Sequence, residues 1–276
     1  MHPEVDIRKF KLVISDLDGT ILDSGQPLHL FTKEVFAKLA GYGILFTLAS
    51  GRSLASLRPF ADELKVEIPL VLANGCIIQS LNGMIHHRSL MPVGITRKVF
   101  EITDREKSDL VVFVDDRLYY KKMTNNILSV FGKVKDAIYE VGSWDAMEDI
   151  IIQVNKFMII EWESLERLDH LEKVFEHELE GKADYLRTNL HHLEVMPKGI
   201  SKATGLKNLA DDLEIQMDEI LAFGDFDNDA EMLAAVGLGA AVANASEKAK
   251  AKAGLIIGSC ADNGPAVFLN QLLQNE

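Results

Sequence analysis

Cysteine is nearly missing from this chain, with Cys76 and Cys260 the only two. That excludes a disulfide framework and makes a reducing cytoplasm the expected setting. The stretch from Met1 to Phe10 mixes acids and bases and lacks the apolar centre of a secretion signal. Long apolar runs are missing too. The longest, Leu233 to Ala243, is interrupted by glycine and falls short of the about 20 residues a bilayer demands, so no membrane partner is expected. Positive charge is scarce: 29 Lys and Arg stand against 42 Asp and Glu, for a formal net charge of -13. Such a field repels nucleic acid and anionic lipid, so any anionic ligand must be held by cations gathered at one place. Internal repeats and low-complexity tracts are also absent.

What is present is apolar material in short, dense runs. At 47% hydrophobic over 276 residues, the chain can bury a sizeable core, and its length allows one large domain or two modest ones. Lys11 to Ser15, Ile44 to Ser50, Pro69 to Ala73, Ile220 to Gly224, Gly239 to Ala243 and Leu255 to Gly258 read as strands covered on both faces. Between them Phe31, Val35, Phe36 and Leu39, then Ala203, Leu206, Leu209 and Leu213, then Met232, Leu233 and Val236 recur at helical spacing. Strand and helix alternating at both chain ends predict an α/β fold, a doubly wound Rossmann-like parallel sheet. The middle reads differently. Val111 to Tyr120 forms two strand halves around Asp115-Asp116, Asn155 to Trp162 is a strand, and Ser164 to Leu179 is a helix with Leu165, Leu168, Leu171 and Phe175 on one stripe. Tyr185 to Arg187 and His192 to Met196 suggest closing strands. The expectation is a discontinuous core of residues 1–88 and 194–276 with an α+β insertion over 89–193.

Four segments carry the chemistry. The first strand runs into Asp16-Leu-Asp18-Gly-Thr20, at the carboxyl end where open α/β sheets hold ligands. Carboxylates two apart on extended backbone project to one side, and their mutual repulsion calls for a cation or a shared proton. An Asp after a strand also commonly caps a turn. Ser50-Gly51-Arg52 supplies a hydroxyl and a guanidinium that donate to an anion, though Ser50 also suits a helix cap and Arg52 a structural ion pair. Lys202 follows a plausible cap at Ser201, where a helix start attracts anions; alone, it reads as a surface lysine. Gly224 leads into Asp225-Phe-Asp227-Asn228-Asp229, three acids in five residues, which suits Mg²⁺ or a salt bridge. Asp229 also reads as a helix cap.

Taken in order, Asp16-Leu-Asp-Gly-Thr20, Ser50-Gly-Arg52, Lys202 and Gly224-Asp-Phe-Asp-Asn-Asp229 resemble the four motifs of the haloacid dehalogenase (HAD) superfamily. Ala73-Asn-Gly75, Gly199-Ile-Ser-Lys202 and the insertion of about a hundred residues resemble its Cof-type subfamily (IIB), which carries a C2B cap. The resemblance implies a phosphatase acting on small phosphorylated metabolites, a sugar phosphate or similar phosphomonoester, through an aspartyl-phosphate. Asp16 would be the nucleophile and Asp18 the acid and base. Mg²⁺ would be held by the Asp16 carboxylate, the Asp18 main-chain carbonyl and Asp225. Ser50 and Lys202 would bind the phosphate oxygens, and Asp229 would orient Lys202 or a water on the ion. Gly51, Arg52, Asn74, Gly75 and Asn228 are expected at the substrate. Against the family's usual pattern stand Phe226, Asp227, with its added charge near the ion, Ser50 in place of threonine, and Cys76, read as a small buried hydrophobe.

The pairs His86-His87 and His191-His192 cannot chelate one ion each, since neighbours on a strand face opposite sides. Glu247 to Lys252 reads as an exposed helix. The cap is expected to exclude water and carry specificity. Two other readings share these features: a phosphomutase of the same fold, and a non-catalytic phospho-acceptor or regulatory module. The chain's oligomeric state is left open between monomer and weak dimer.

Overall fold

The computed structural model describes residues 5–23, 25–131 and 137–274. The outer ends of the expected core (1–4 and 275–276), together with Ser24 and residues 132–136 of the expected insertion, lie outside the described residues. Five parallel strands form the central sheet, in the spatial order Leu255–Ile257, Leu238–Val242, Ile220–Gly224, Leu12–Ser15, Leu45–Leu48. The first strand therefore lies beside one from the far end of the chain, with Ser15 level with Phe223. Leu12–Ser15 and Ile220–Gly224 are buried along their whole lengths, as strands covered by helices on both faces must be. Phe223 turns its ring edge toward Phe36 of helix Leu30–Lys38 and Phe268 of helix Gly264–Gln274. Helices Lys202–Asp212, Ala230–Ala235 and Glu247–Lys252 make a second packed group.

The run expected as a parallel strand from Pro69 to Ala73 behaves differently. Leu70–Leu72 joins Ile77–Gln79 and Ile85–Arg88 in an antiparallel three-stranded sheet. It meets the parallel sheet through a parallel bridge from Ala49 to Val71, the hydrogen bond from Ser50 N to the Val71 carbonyl and one from the Thr47 hydroxyl to the Pro69 carbonyl. The cause is local: Ala73, Asn74 and Gly75 have φ of 50°, 56° and 95°, and left-handed backbone turns the chain back on itself.

The middle of the chain forms a six-stranded sheet in the order Ala183–Asn189, His192–Pro197, Lys156–Ile160, Asp109–Val114, Arg117–Tyr120, Ala137–Glu140. Val114 pairs with Arg117, so Asp115-Asp116 is the expected turn. Alternation sorts the side chains between the two faces. Val112, Phe157, Ile159 and Val195 pack with Phe100 of helix Val93–Glu106 and with Leu168, Leu171 and Phe175 of helix Leu165–Glu178. Val111, Phe113 and Met158 pack on the other face with Ile127 and Phe131 of helix Asn125–Phe131. Helix Val93–Glu106 and the hairpin closed by Ile85–Arg88 are additions to the pattern read from the sequence. Among the described residues no helix is long and apolar enough to cross a membrane.

Candidate active site

Parallel register sets the site. Asp16 N donates to the Phe223 carbonyl at 2.9 Å, so the residues leaving two adjacent strands, Asp16 and Asp225, emerge side by side. Gly224 is required here, because a Cβ would lie 2.5 Å from Asp229 Cβ. The loop folds back so that Asp229 Oδ2 accepts from the backbone N–H groups of Asp225 and Phe226, both at 3.0 Å. As a result oxygens of Asp16, Asp225 and Asp229 lie within 4.8 Å of one another.

Lys202 enters from the first turn of helix Lys202–Asp212, whose start is fixed by a reciprocal cap between Ser201 and Thr204. The helix comes close because neither Gly75 nor Gly205 has a side chain: a Cβ on Gly75 would lie 2.1 Å from the Ser201 carbonyl oxygen, and one on Gly205 would lie 2.8 Å from Gly75 Cα. Gly75 thus seats the lysine helix and is not among the residues lining the cavity. Lys202 is buried, and its Nζ donates to Asp16 Oδ1 at 2.5 Å and Asp229 Oδ1 at 2.7 Å. It is no surface lysine.

One ammonium therefore faces three clustered carboxylates, those of buried Asp16 and Asp229 and of half-buried Asp225. Burial pushes the Asp16 carboxyl well above its usual range, and Asp229, Asp225 and Asp18 push the same way against Lys202. Burial and Asp229 lift Asp225 to about 7, opposed by Lys202 and by Thr20, whose hydroxyl donates to Asp225 Oδ1 at 2.9 Å. Burial works against the charge of Lys202, but Asp16 and Asp229 outweigh it and raise its pKa. Such a surplus of negative charge suits a small divalent cation with oxygen ligands. Gly19 leaves room beside it, since at φ +81° a Cβ there would sit 2.4 Å from Asp225 Oδ2.

Asp18 departs from the expected arrangement. The strand ends at Ser15, and Ile21 and Leu22 donate back to the Leu17 carbonyl, so the two-residue alternation stops before Asp18. Its carboxylate, 52% exposed, turns to Arg52 and does not join the cluster. Asp227 stays out of the cluster as well: Ser246 Oγ donates to it at 2.7 Å.

A cavity of about 350 Å³ opens above these groups. Asp16, Asp18, Ser50, Gly51, Arg52, Asp225 and Asn228 line its floor, and Phe113, Phe131, Met158, Asn189, His192 and Glu194 face them from the middle of the chain. Asn74 connects the two sides: its Nδ2 donates to Glu194 Oε2 at 2.8 Å, while its Oδ1 accepts from Asn228 Nδ2 at 3.0 Å. Burial, His191 and Lys156 lower His192 to about 4. The sequence reading passed over Thr20, Lys156 and Glu194. The signal for the last two was a formal charge set among apolar strand residues, Lys156-Phe-Met-Ile-Ile and Leu193-Glu-Val-Met, where an unpaired charge is costly.

The sequence model of the haloacid dehalogenase-like hydrolases matches residues 13–269. An HMP-PP phosphatase of Yersinia pseudotuberculosis is 25% identical over 268 residues, 96% of each chain. The fold is shared with a haloacid dehalogenase-like hydrolase from Bacteroides thetaiotaomicron at a TM-score of 0.84, 25% identity and coverage of 95% of this chain and 99% of that one. It is shared also with a HAD/COF-like hydrolase from Plasmodium vivax at a TM-score of 0.86, 20% identity and 97% of each chain. With Asp16, Lys202, Asp225 and Asp229 gathered on adjacent strand ends and the family match running nearly the length of the chain, this protein belongs to the haloacid dehalogenase-like hydrolases and has the fold of their HAD/COF-like members.

Proposed function

We propose that this HAD-type phosphatase hydrolyses a small phosphomonoester through a phosphorylated Asp16, with Mg²⁺ held by Asp16, Asp225 and the main-chain carbonyl of Asp18. The observation that carries this reading is the buried Lys202 bridging Asp16 and Asp229 beside Asp225. With Oδ1 of Asp16 engaged by Lys202, its Oδ2 is the atom for attack on phosphorus. That attack forms the acyl-phosphate bond and breaks the bond from phosphorus to the leaving oxygen, which takes its proton from Asp18. Asp18 then accepts a proton from the water that attacks phosphorus, inorganic phosphate departs, and Asp16 is restored. Asp18 must leave Arg52 to do this, and its exposure leaves it room to turn. Ser50 and Lys202 supply donors to the phosphate oxygens, where negative charge gathers in the transition state. Mg²⁺ supplies positive charge that lets an anionic carboxylate approach an anionic phosphate.

We assign the core to residues 1–88 and 194–276 and the cap to 89–193, with residues 194–197 completing the six-stranded sheet as the chain returns along strand His192–Pro197. Phe113, Met158 and His192 line the cavity from the cap side, which supports a cap that selects the leaving group. A reducing cytoplasm suits the two buried thiols, which burial pushes up to about 12. Phosphate release over a panel of phosphorylated metabolites, with and without Mg²⁺, tests the proposal. The substrate named for the Yersinia relative belongs in that panel. Phosphate appearing in solution separates hydrolysis from return of the phosphoryl group to a sugar, and no release from any member sinks the reading.

A further inference from the structure

Lys156, in strand Lys156–Ile160, has a fully buried side chain, and Glu194 on the neighbouring strand is 1% exposed. The two form an ion pair inside buried sheet strands that carry mostly apolar side chains. Two charges withdrawn from water carry a heavy desolvation cost that a well-packed apolar pair would avoid. Their remaining hydrogen bonds show where the pair leads. Lys156 Nζ also donates to the Gly51 carbonyl at 2.9 Å and lies 4.4 Å from the centre of the Phe113 ring. Glu194 Oε2 also accepts from Asn74 Nδ2 at 2.8 Å, and Oε1 accepts from the Thr188 hydroxyl at 3.4 Å. Lys156 thus reaches the loop that follows strand Leu45–Leu48, and Glu194 the turn that follows Leu70–Leu72.

The consequence for Ser50 runs through one peptide unit. Peptide groups are planar and trans, so the carbonyl of Gly51 and the N–H of Arg52 point in opposite directions from a single rigid plate. Lys156 holds the carbonyl end, and the N–H end donates to Ser50 Oγ at 3.2 Å. With a donor already on Oγ, the hydroxyl's own proton is directed elsewhere, and Ser50 lines the cavity alongside Asp16. Glu194 does the matching work on Asn74: taking its Nδ2 leaves Oδ1 to accept from Asn228, another residue of the cavity floor.

We infer that Lys156 is a positioning residue for phosphate binding, acting through the Gly51–Arg52 peptide on the hydroxyl of Ser50, with Glu194 as its counter-charge and the clamp on Asn74. The oxyanion side of the site is then complete only while the six-stranded sheet rests on the core. This inference builds on the phosphatase reading above, and its test does not need turnover.

Lys156→Met alone strands a buried carboxylate and invites misfolding. The decisive variant is the pair Lys156→Met with Glu194→Gln, which removes both charges while the glutamine carbonyl still accepts from Asn74. Inorganic phosphate binding is measured by calorimetry in Mg²⁺ buffer, and kcat and KM on p-nitrophenyl phosphate, for the wild type, the pair, Ser50→Ala and all three changes together. A folded pair should bind phosphate about tenfold more weakly and lose about tenfold in kcat, yet change either by less than about twofold when Ser50 is already alanine. Equal losses in both backgrounds overturn the inference, as does a pair that behaves like the wild type. A wild type that binds phosphate but turns over no ester defeats the phosphatase reading and leaves the binding cycle to decide this one. A wild type that binds no phosphate overturns both.

Discussion

Arg52 grips Asp18 through two parallel hydrogen bonds, Nε to Oδ2 at 2.7 Å and Nη2 to Oδ1 at 2.6 Å. The fork holds the proposed proton carrier outside the carboxylate cluster, on the floor of the cavity. Asp18→Asn keeps the shape and removes the proton relay, so kcat should fall about 10²- to 10⁴-fold. Quenching the reaction with labelled substrate should then trap phosphate on the protein. An unchanged turnover rate would contradict the assignment.

Asp16 illustrates function and stability pulling apart. Its carboxyl lies above the ordinary range because burial and neighbouring acids disfavour its charge. Asp16→Asn removes that conflict together with the nucleophile. Turnover should vanish while the melting temperature, measured without Mg²⁺, stays level or rises by about 2–4 °C, a shift worth about 1 kcal/mol in a protein this size. A clear drop in melting temperature would mean that the charge on Asp16 stabilises the fold.

The surplus of carboxylates around Lys202 predicts a stability response to divalent ions. Mg²⁺ at about 100 times its dissociation constant should stabilise the folded protein by about 2.7 kcal/mol, and EDTA should reverse both this gain and the activity. Asp225→Asn should remove most of the response. A melting curve indifferent to Mg²⁺ would take the ion out of the site.

His192 gives a pH signature separate from catalysis. Its folded value of about 4 lies below the ordinary 6.5, so between those values the unfolded chain binds a proton that the folded one refuses. Stability is full above about 6.5 and is lost as pH falls toward 4. From pH 7 to pH 5 this residue alone removes about 2 kcal/mol. Urea midpoints at the two pH values should show a smaller drop for His192→Asn than for the wild type, and matching drops would refute the account.

Much of the fold was legible along the chain. Apolar runs such as Lys11 to Ser15 and Ile220 to Gly224, each followed at once by an acid, disclosed the parallel sheet and the rim where its ligands gather, because strand burial and strand ends are written in local order. The turn at Asp115-Asp116 came through for the same reason, as did the helix stripe at Leu168, Leu171 and Phe175, though Leu165, expected on it, is exposed. Leu70–Leu72 did not: a buried strand reads alike in parallel and antiparallel sheets, and its partner was decided by left-handed backbone at Ala73 and Asn74.

The residues of the site divide along the same line. The order Asp16, Ser50, Lys202, Asp225 marked out a phosphate chemistry because residue types and motif spacing survive in one dimension. Only folding could turn Asp18 out to Arg52, bury Lys202 between Asp16 and Asp229, and bring Lys156 onto Gly51 across 105 positions of sequence. Those contacts depend on strand register and on the close approach of two glycines, Gly75 and Gly205. Both are properties of packing in space, where the direction of a side chain is set by its neighbours and not by its place in the chain.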